Sequence, residues 1–600
     1  MLWGLASTDA QVQAQRTDWP HALTTEERSH VERQGFHPVA TRGIETPPPF
    51  DNLRTAAEWE EIEALTIAWT SYPCIQKQIV AAAQAQCQVI IFAENPSQVT
   101  SYLSNTGCGG PVPLENVSVV EAEYNSVWIR DYGATTVYGN WNDDRVLVDW
   151  LYNRPRPLDD AIPDVLGDFM GIPVYSATAA PFDLMNTGGN WMSDGFGTAF
   201  ASELIVEENS GGSTWWTDFP DHTEPEIDDL VADFHGVDQY IKMPVLPYDG
   251  IHHIDMHMKL LDEHRLLVAE YPNGTADGPQ INANLEYVLS NFTTRWGTPF
   301  EVIRIPSPPE QGAGGGYPNQ GGWYLTYTNS VFVNNTVLLP TYYTQYDTTA
   351  IRIYQEALPG YEIVGIDCDN NAEPIIAASG AIHCITHSVG VADPLMISHL
   401  PLPDTEQTEG AYNVMGEVFH RSGIADVTLH WAVDEGGVPG AWNTSPLLPG
   451  FNPNGEYFGS IPAQPVGTRI HYYIAALSGD GKFGTRPMPA PAGYWTFDVL
   501  GPANGVSEAD VWAGRSVLGA VFPNPASAIT CVPLDLPLRD EAHVGLYDAQ
   551  GRCRAVLHEG SLPAGPTKLF FHANELPGGM YVIRYRGARG GEQSTRVVVR

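Results

Sequence analysis

A chain of 600 residues exceeds what one ordinary hydrophobic core serves, so several domains are expected. Hydrophobic residues at 43% and aromatics at 10% exclude a largely disordered chain. With 30 basic against 71 acidic residues the formal charge is −41, which repels phosphate backbones and argues against binding nucleic acid or anionic membranes.

Such a surface either attracts cationic substrates or simply keeps an exported protein soluble. No run approaches the ~20 consecutive apolar residues of a spanning helix. The seven cysteines, at 74, 87, 108, 368, 384, 531 and 553, show no CxxC pair and no zinc-ligand spacing. An odd count in an exported protein leaves at least one thiol unpaired, and Cys384 is the candidate.

Residues 1–50 are polar, proline-bearing and unpatterned, and read as a leader or flexible arm. Met1-Leu2-Trp3-Gly4-Leu5-Ala6 is apolar without a basic start, with Ala10 and Ala14 following, as in the tail of a truncated signal peptide. From residue 58 a regular alternation begins. The pattern predicts strands over 61–69, 88–93 and 117–120 and helices over 75–85 and 97–104. A helix followed by a strand recurs at 159–169 with 174–176, 226–234 with 239–243, 282–292 with 300–305, and 348–358 with 361–367. Hairpins lie between them, at 134–150, 258–271 and 330–339. Asn334 and Asn335 supply the last turn, where Asn tolerates the left-handed conformation. The unit is therefore strand, strand, helix, strand, used about five times. A ring of such units is an α/β propeller with its active site at the centre.

After Asp393 helical patterning stops, and short alternating strands at 427–432, 456–461, 469–476 and 494–500 predict an immunoglobulin-like sandwich. The expected organisation is a leader over 1–50, a catalytic propeller over 51–398, a sandwich over 399–500, a linker over 501–513 and a small all-β unit over 514–600. The Gly-rich segment 311–322 lacks the Lys-Ser/Thr of a phosphate loop and reads as a mobile lid or surface loop.

The chemistry gathers around Gly380-Ala381-Ile382-His383-Cys384-Ile385-Thr386-His387, which reads as following a buried strand and a Ser-Gly turn. A thiol of pKa ~8.5 becomes a nucleophile only with a neighbouring base or positive charge, and histidines flank this one. Four motifs join it. Trp128-Ile129-Arg130-Asp131-Tyr132-Gly133 puts an acid at a strand end, although Asp131 could merely pair with Arg130. His253-Ile254-Asp255, if a strand, puts imidazole and carboxylate on one face. Its setting among His252 and His257 also suits a metal site or a plain surface, and metal is the least favoured because Cys384 lies far from any cluster of ligand spacing. Gly188-Gly189-Asn190 is a tight turn where backbone can approach a ligand. Arg154-Pro155-Arg156 sends two guanidiniums the same way, suited to gripping a carboxylate or serving Asp159 and Asp160. Two carboxylates with a Cys–His pair fit a planar cation attacked at carbon, and a guanidinium is such a cation.

These residues resemble the guanidine-modifying (pentein) superfamily and, within it, the bacterial peptidylarginine deiminases. The motifs are WIRDYG at 128–133, YNRPRPLDD at 152–160, GGN at 188–190, HID at 253–255, YTNS at 327–330 and GIDCD with GAIHCITH at 365–387. The resemblance spans roughly residues 55–395 and implies a five-bladed α/β propeller. It implies that Cys384 is the nucleophile forming a thiouronium, and that His253 is acid to the leaving ammonia and then base to water. It implies that Asp131 and Asp255 bind the guanidinium, with Asn329 steadying the adduct and Trp128 and Asn190 lining the substrate. It implies that Arg154 and Arg156 hold the α-carboxylate of a C-terminal arginine, and that neither calcium nor any other cofactor is needed. YNRPRP separates this family from the agmatine deiminases, whose substrate has no carboxylate. One departure is visible: the family's tyrosine before His-x-Asp is replaced by Gly250, with Tyr248 the nearest tyrosine.

The last hundred residues resemble a type IX secretion sorting domain, through PNP at 523–525, the Tyr-Asp turn at 547–551, LPGGMY at 576–581 and a terminal basic strand. That implies export by the type IX machinery to the outside of the cell or its outer-membrane surface. Peptides ending in arginine are the expected partners. Deimination of agmatine or another small guanidine, and a surface adhesin on an inactive scaffold, are the alternatives.

Overall fold

The computed structural model describes residues 21–34, 42–210, 221–310, 316–370, 372–450 and 455–500. From 517 it describes most of the chain, apart from 519–520, 522–525, 527–528, 537–538, 549, 563–564, 588–591 and 600. The expected leader up to residue 20, the linker at 501–513, the PNP at 523–525 and residues 311–315 of the Gly-rich segment lie outside the described residues. The chain divides into two compact units, Met1–Val499 and Leu500–Arg600.

The first unit is built from one repeated motif. An antiparallel hairpin is followed by a helix, and the helix returns the chain to a parallel third strand. Thr135–Gly139, Asp144–Tyr152 and Val174–Ala177 make one such sheet, with helix Ile162–Met170 as the crossover. Met192–Ser193, Thr198–Ser202 and Gln239–Met243 make the next, crossed by Glu224–His235. Met258–Leu260, Arg265–Glu270 and Glu301–Pro306 follow with helix Gly278–Asn291. Val331–Val333, Thr336–Thr341 and Glu362–Asp367 follow with helix Thr344–Ala357. The remaining sheet, Ile62–Ala68, Gln88–Ala93 and Val117–Glu121, is parallel throughout. It takes its antiparallel partner from the far end of the domain, His387–Gly390. That pairing closes the chain on itself and places the segment after Cys384 against the first strand.

Buried strands of branched and aromatic residues, such as Val89, Ile90, Ile91 and Phe92, pack against the helices. Local signals mark helix boundaries. Helix Glu224–His235 starts with a Thr223/Glu226 capping box and ends on Gly236 at φ 65°, and Asn95 caps helix Pro96–Leu103 through Gln98 N–H. Cys74 and Cys108 form a disulfide; among the described residues Cys87, Cys368, Cys384 and Cys553 are free thiols.

Residues 396–499 form two further sheets around Val414, Leu429, Ile461, Ile470 and Tyr472. They are tied to the repeated sheets by polar contacts. Arg486 pairs with Glu263 at 3.1 Å, Ser398 Oγ donates to Glu263 at 2.8 Å, and Arg295 pairs with Glu417. The second unit carries two antiparallel sheets, Val517–Leu518, Ile529–Leu536 and Gly565–His572, and then Cys553–Leu562, Asp540–Asp548, Gly579–Gly587 and Glu592–Val599. Among the described residues no helix is long and apolar enough to cross a membrane.

Several local expectations are corrected. Asp131 sits in a helical turn, Ile129–Tyr132, and not at a strand end. Ile254–Met256 is a 3-10 turn preceded by an extended His253, so the two-apart strand argument does not apply. The segment before Cys384 is the 3-10 turn Ile375–Ala378, ending at Ser379 with φ 65°, and not a buried strand.

Candidate active site

Loops at the ends of these sheets converge on a buried cluster. The Cys384 side chain is fully buried, and Asn329 Nδ2 points at its Sγ from 3.4 Å. The Asn329 orientation is fixed from the other side, because its Oδ1 accepts the His383 backbone N–H at 3.1 Å. Asp255 Oδ2 lies 3.9 Å from the same sulfur and is bonded to His383 Nδ1 at 2.7 Å. His383 then passes to Glu58 through Nε2 at 2.8 Å, and Glu58 also takes Lys259 Nζ at 2.7 Å. Burial works against a charged Glu58, but His383 and Lys259 outweigh it and hold the carboxyl well below the usual range.

Asp131 accepts the Gly189 N–H at 3.2 Å through Oδ1, with His253 Nδ1 3.6 Å from the same oxygen. Burial opposes the ionised Asp131; the imidazoles of His21 and His253 beside it reverse this and hold it well below the carboxylate range. Burial pushes the His253 imidazole down to about 4, so it is neutral and able to accept a proton at pH 7. Burial, then the charges of Asp255 and Asp131, push the Cys384 thiol well above its ordinary value. The resting site therefore holds a protonated thiol beside Asp255, with the charge of Asp131 also acting on it. A cation entering between those acids removes the repulsion and favours the thiolate, and His253 is the neutral group able to take the proton.

The GGN turn owes its glycines to close approach. A Cβ on Gly189 would lie 2.3 Å from His253 Nδ1, and one on Gly188 1.9 Å from the Arg130 carbonyl. Asn190 does not face the site: its Oδ1 accepts Ser202 N–H at 2.8 Å and its Nδ2 donates to Ser202 O at 3.4 Å, so the side chain pins a neighbouring strand. The group this turn presents to the site is the Gly189 N–H, which donates to Asp131.

Trp128, Arg154 and Arg156 are buried, and the N-terminal arm packs against each of them. The His21 ring lies parallel to Trp128, 4.3 Å between centroids and 9° between planes. Its Nε2 is 2.5 Å from Asp131 Oδ2 and its Nδ1 2.9 Å from Ser379 O. Arg154 Nε donates to the His21 carbonyl at 3.1 Å, and Arg156 Nε to Glu27 Oε1 at 2.8 Å. Asp159 and Asp160 do not depend on these arginines for hydrogen bonds: they accept backbone N–H groups of Asn125 and Ser126, and of Tyr152, respectively. Arg130 likewise turns from Asp131 to Glu58, at 3.6 Å. Gly250 lines a cavity of about 70 Å³ with Ala22, Leu23, Arg154 and Glu208, and a Cβ there meets nothing within 4 Å. Tyr248 is half exposed.

His21, Asp131 and His253 each offer one ligand atom within 4.8 Å of the others, so the trio could hold a metal; the direct His21–Asp131 hydrogen bond accounts for the geometry without one. Sequence reasoning brought Cys384, His253, Asp131, Asp255, Asn329, Trp128, Arg154 and Arg156 to one region. It missed Glu58, Lys259 and the arm. One signal for the arm was legible: Thr24-x-x-Glu27 is a capping box, realised as Glu27 N–H to Thr24 Oγ1 at 3.1 Å and Thr24 N–H to Glu27 Oε2 at 2.8 Å.

Comparison with known proteins adds the following. Residues 54–389 match the model of the Porphyromonas-type peptidyl-arginine deiminases. A Shewanella baltica (strain OS223) protein assigned, by inference, as an agmatine deiminase is 27% identical over 58% of this chain and 96% of its own. A Legionella pneumophila protein assigned in the same way is 25% identical over 57% of this chain and 96% of its own. Among solved structures, the agmatine deiminase of Enterococcus faecalis is 19% identical, covers 58% of this chain and 99% of its own, and superposes with a TM-score of 0.47.

Proposed function

The chain belongs to the Porphyromonas-type peptidyl-arginine deiminase family, hydrolases acting on amidines, and on that premise we propose that it converts C-terminal arginine of peptides to citrulline and ammonia. The observation that carries the choice of substrate is the arginine pair. Arg156 lies beside the site gripping a carboxylate, that of Glu27, and Arg154 holds a carbonyl oxygen of the same segment. Agmatine carries no group for such a clamp, whereas the α-carboxylate of a terminal arginine does.

In this reading the guanidinium lies on Trp128 between Asp131 and Asp255. Cys384 loses its proton to His253 and attacks the guanidinium carbon, forming a C–S bond. Asn329 donates toward the sulfur throughout. The tetrahedral adduct collapses as imidazolium His253 protonates the departing nitrogen, and ammonia leaves a thiouronium on Cys384. His253, neutral again, takes a proton from water, whose oxygen attacks the same carbon. The C–S bond then breaks, the sulfur takes back its proton, and the ureido group of citrulline leaves. No step calls on calcium or another cofactor. The two sheets over 396–499 suit an immunoglobulin-like sandwich. The second unit suits a type IX sorting domain, so the enzyme would act outside the cell or on its outer-membrane surface, with the type IX machinery as its export partner.

A small-guanidine substrate is favoured by the names of the Shewanella and Legionella relatives. One assay separates the two readings. Citrulline or carbamoylputrescine formation is measured on a peptide ending in free arginine, the same peptide amidated, and agmatine, with and without chelator. The full chain, its His21→Ala/Glu27→Gln form and a Cys384→Ala control are compared. Turnover of the free-acid peptide above both others, unchanged by chelator, supports the clamp. Equal turnover of the amidated peptide removes it, and preference for agmatine replaces the peptide reading.

A further inference from the structure

The residue in the guanidinium position belongs to the protein itself. His21 is completely buried, 110 residues from Asp131 and 358 from Ser379 in sequence, yet bonded to both. Ser379 offers a carbonyl and Asp131 a carboxylate, so the ring faces an acceptor at each nitrogen. A ring that donates from both nitrogens is an imidazolium, a planar cation. It stacks on an indole and hydrogen-bonds an aspartate, which is what a guanidinium would do in the same place.

The mimicry continues along the arm. The His21 carbonyl engages Arg154 and the Glu27 carboxylate engages Arg156, so both arginines proposed to hold substrate are occupied from one segment. The helix Thr25–Gln34 that carries Glu27 is seated by Val31, which is buried against Leu151 and Met185 with Leu23. The consequence is closure. Cys384 and His253 are 0% exposed and Asp131 1%, so in this arrangement neither a substrate nor a small reagent reaches the thiol. The arm also lies before residue 54, outside the region matched by the family model.

We propose that residues 21–34 are an intramolecular pseudosubstrate that keeps the enzyme closed until the arm is cut away or displaced. The proposal rests on the guanidinium site assigned above, and its link to the clamp rests on the peptide reading. Cleavage after the arm would turn a tethered inhibitor into a free peptide. That removes the millimolar effective concentration a short tether supplies, and the arm then leaves at ordinary dilution.

The test reads the thiol directly. The full chain and its His21→Ala/Glu27→Gln form are treated with 2-chloroacetamidine in chelator, and alkylation of Cys384 is followed by mass spectrometry. Losing two charge-assisted contacts should raise the alkylation rate at least about tenfold. A synthetic peptide of residues 21–34 added to the substituted protein should slow alkylation again, and the same peptide with His21→Ala should not. That add-back also shows that the substituted protein is folded. Equal alkylation of both proteins, or no protection by the peptide, overturns the proposal. Faster alkylation together with a preference for agmatine supports the arm as plug and overturns the peptide reading, so the two ideas fail separately.

Discussion

His383 is a positioning residue whose replacement gives a calculable result. Its ring bridges Asp255 at 2.7 Å and Glu58 at 2.8 Å, and Glu58 in turn neutralises the buried Lys259. Replacement by leucine would strand two acids at once, and breaking a buried charged network in that way costs about 3–5 kcal/mol, enough to confuse misfolding with lost function. Glutamine is the better probe, because its amide can still donate to one carboxylate. His383→Gln then loses one hydrogen bond to a charged group, about 1.5–3 kcal/mol. The same energy appears twice. In denaturant the midpoint falls at unchanged slope. In kinetics Asp255 is no longer held square to the guanidinium, and kcat/KM should fall about 10- to 150-fold, mainly in kcat. Both are measured in the His21→Ala/Glu27→Gln background, so that arm opening does not limit the rate. A His383→Gln protein with the parent's midpoint and kcat/KM would refute the bridge.

Two further outcomes follow from the geometry. Gly189→Ala puts a methyl 2.3 Å from His253 Nδ1, so citrulline formation should drop by about a hundredfold, as for a displacement near 1 Å, while circular dichroism stays unchanged. His235 is fully buried against Trp150 and Trp191, and burial lowers its imidazole to about 3 from 6.5. Because the folded value is the lower one, the unfolded chain takes up the proton first as pH falls through 6.5, and stability is lost from there toward pH 3. His235→Gln removes that loss, so between pH 7.5 and 5 the parent should lose about 2 kcal/mol more than the variant in urea titrations.

The repeating units were legible because each carries its own periodic signal. The run at 88–93 is buried on both faces, and helix Glu224–His235 shows its capping residues in sequence. The hairpin Met192–Ser193 with Thr198–Ser202 was not legible, because its first strand has two residues and glycine-rich turn chemistry hides the alternation. Asp131, His253 and Cys384 were singled out by residue type and the structure brings them to one region, although their local conformations were not legible. Their backbone is set by what packs on it, such as Gly380 beneath Trp128, where a Cβ would lie 2.5 Å from the indole. Glu58, Lys259 and His21 carry no local mark of their roles. Each gains its meaning from a partner more than a hundred residues away, a distance no window of sequence spans.

The most direct measurement is the mass of the Cys384 peptide after rapid acid quench of the His21→Ala/Glu27→Gln protein with a peptide ending in arginine. The account predicts an adduct at Cys384 equal to the substrate less one ammonia, formed and consumed as ammonia and citrulline accumulate in equal amounts, and absent from Cys384→Ala. Citrulline released without any such adduct, or by the Cys384→Ala protein, would contradict it.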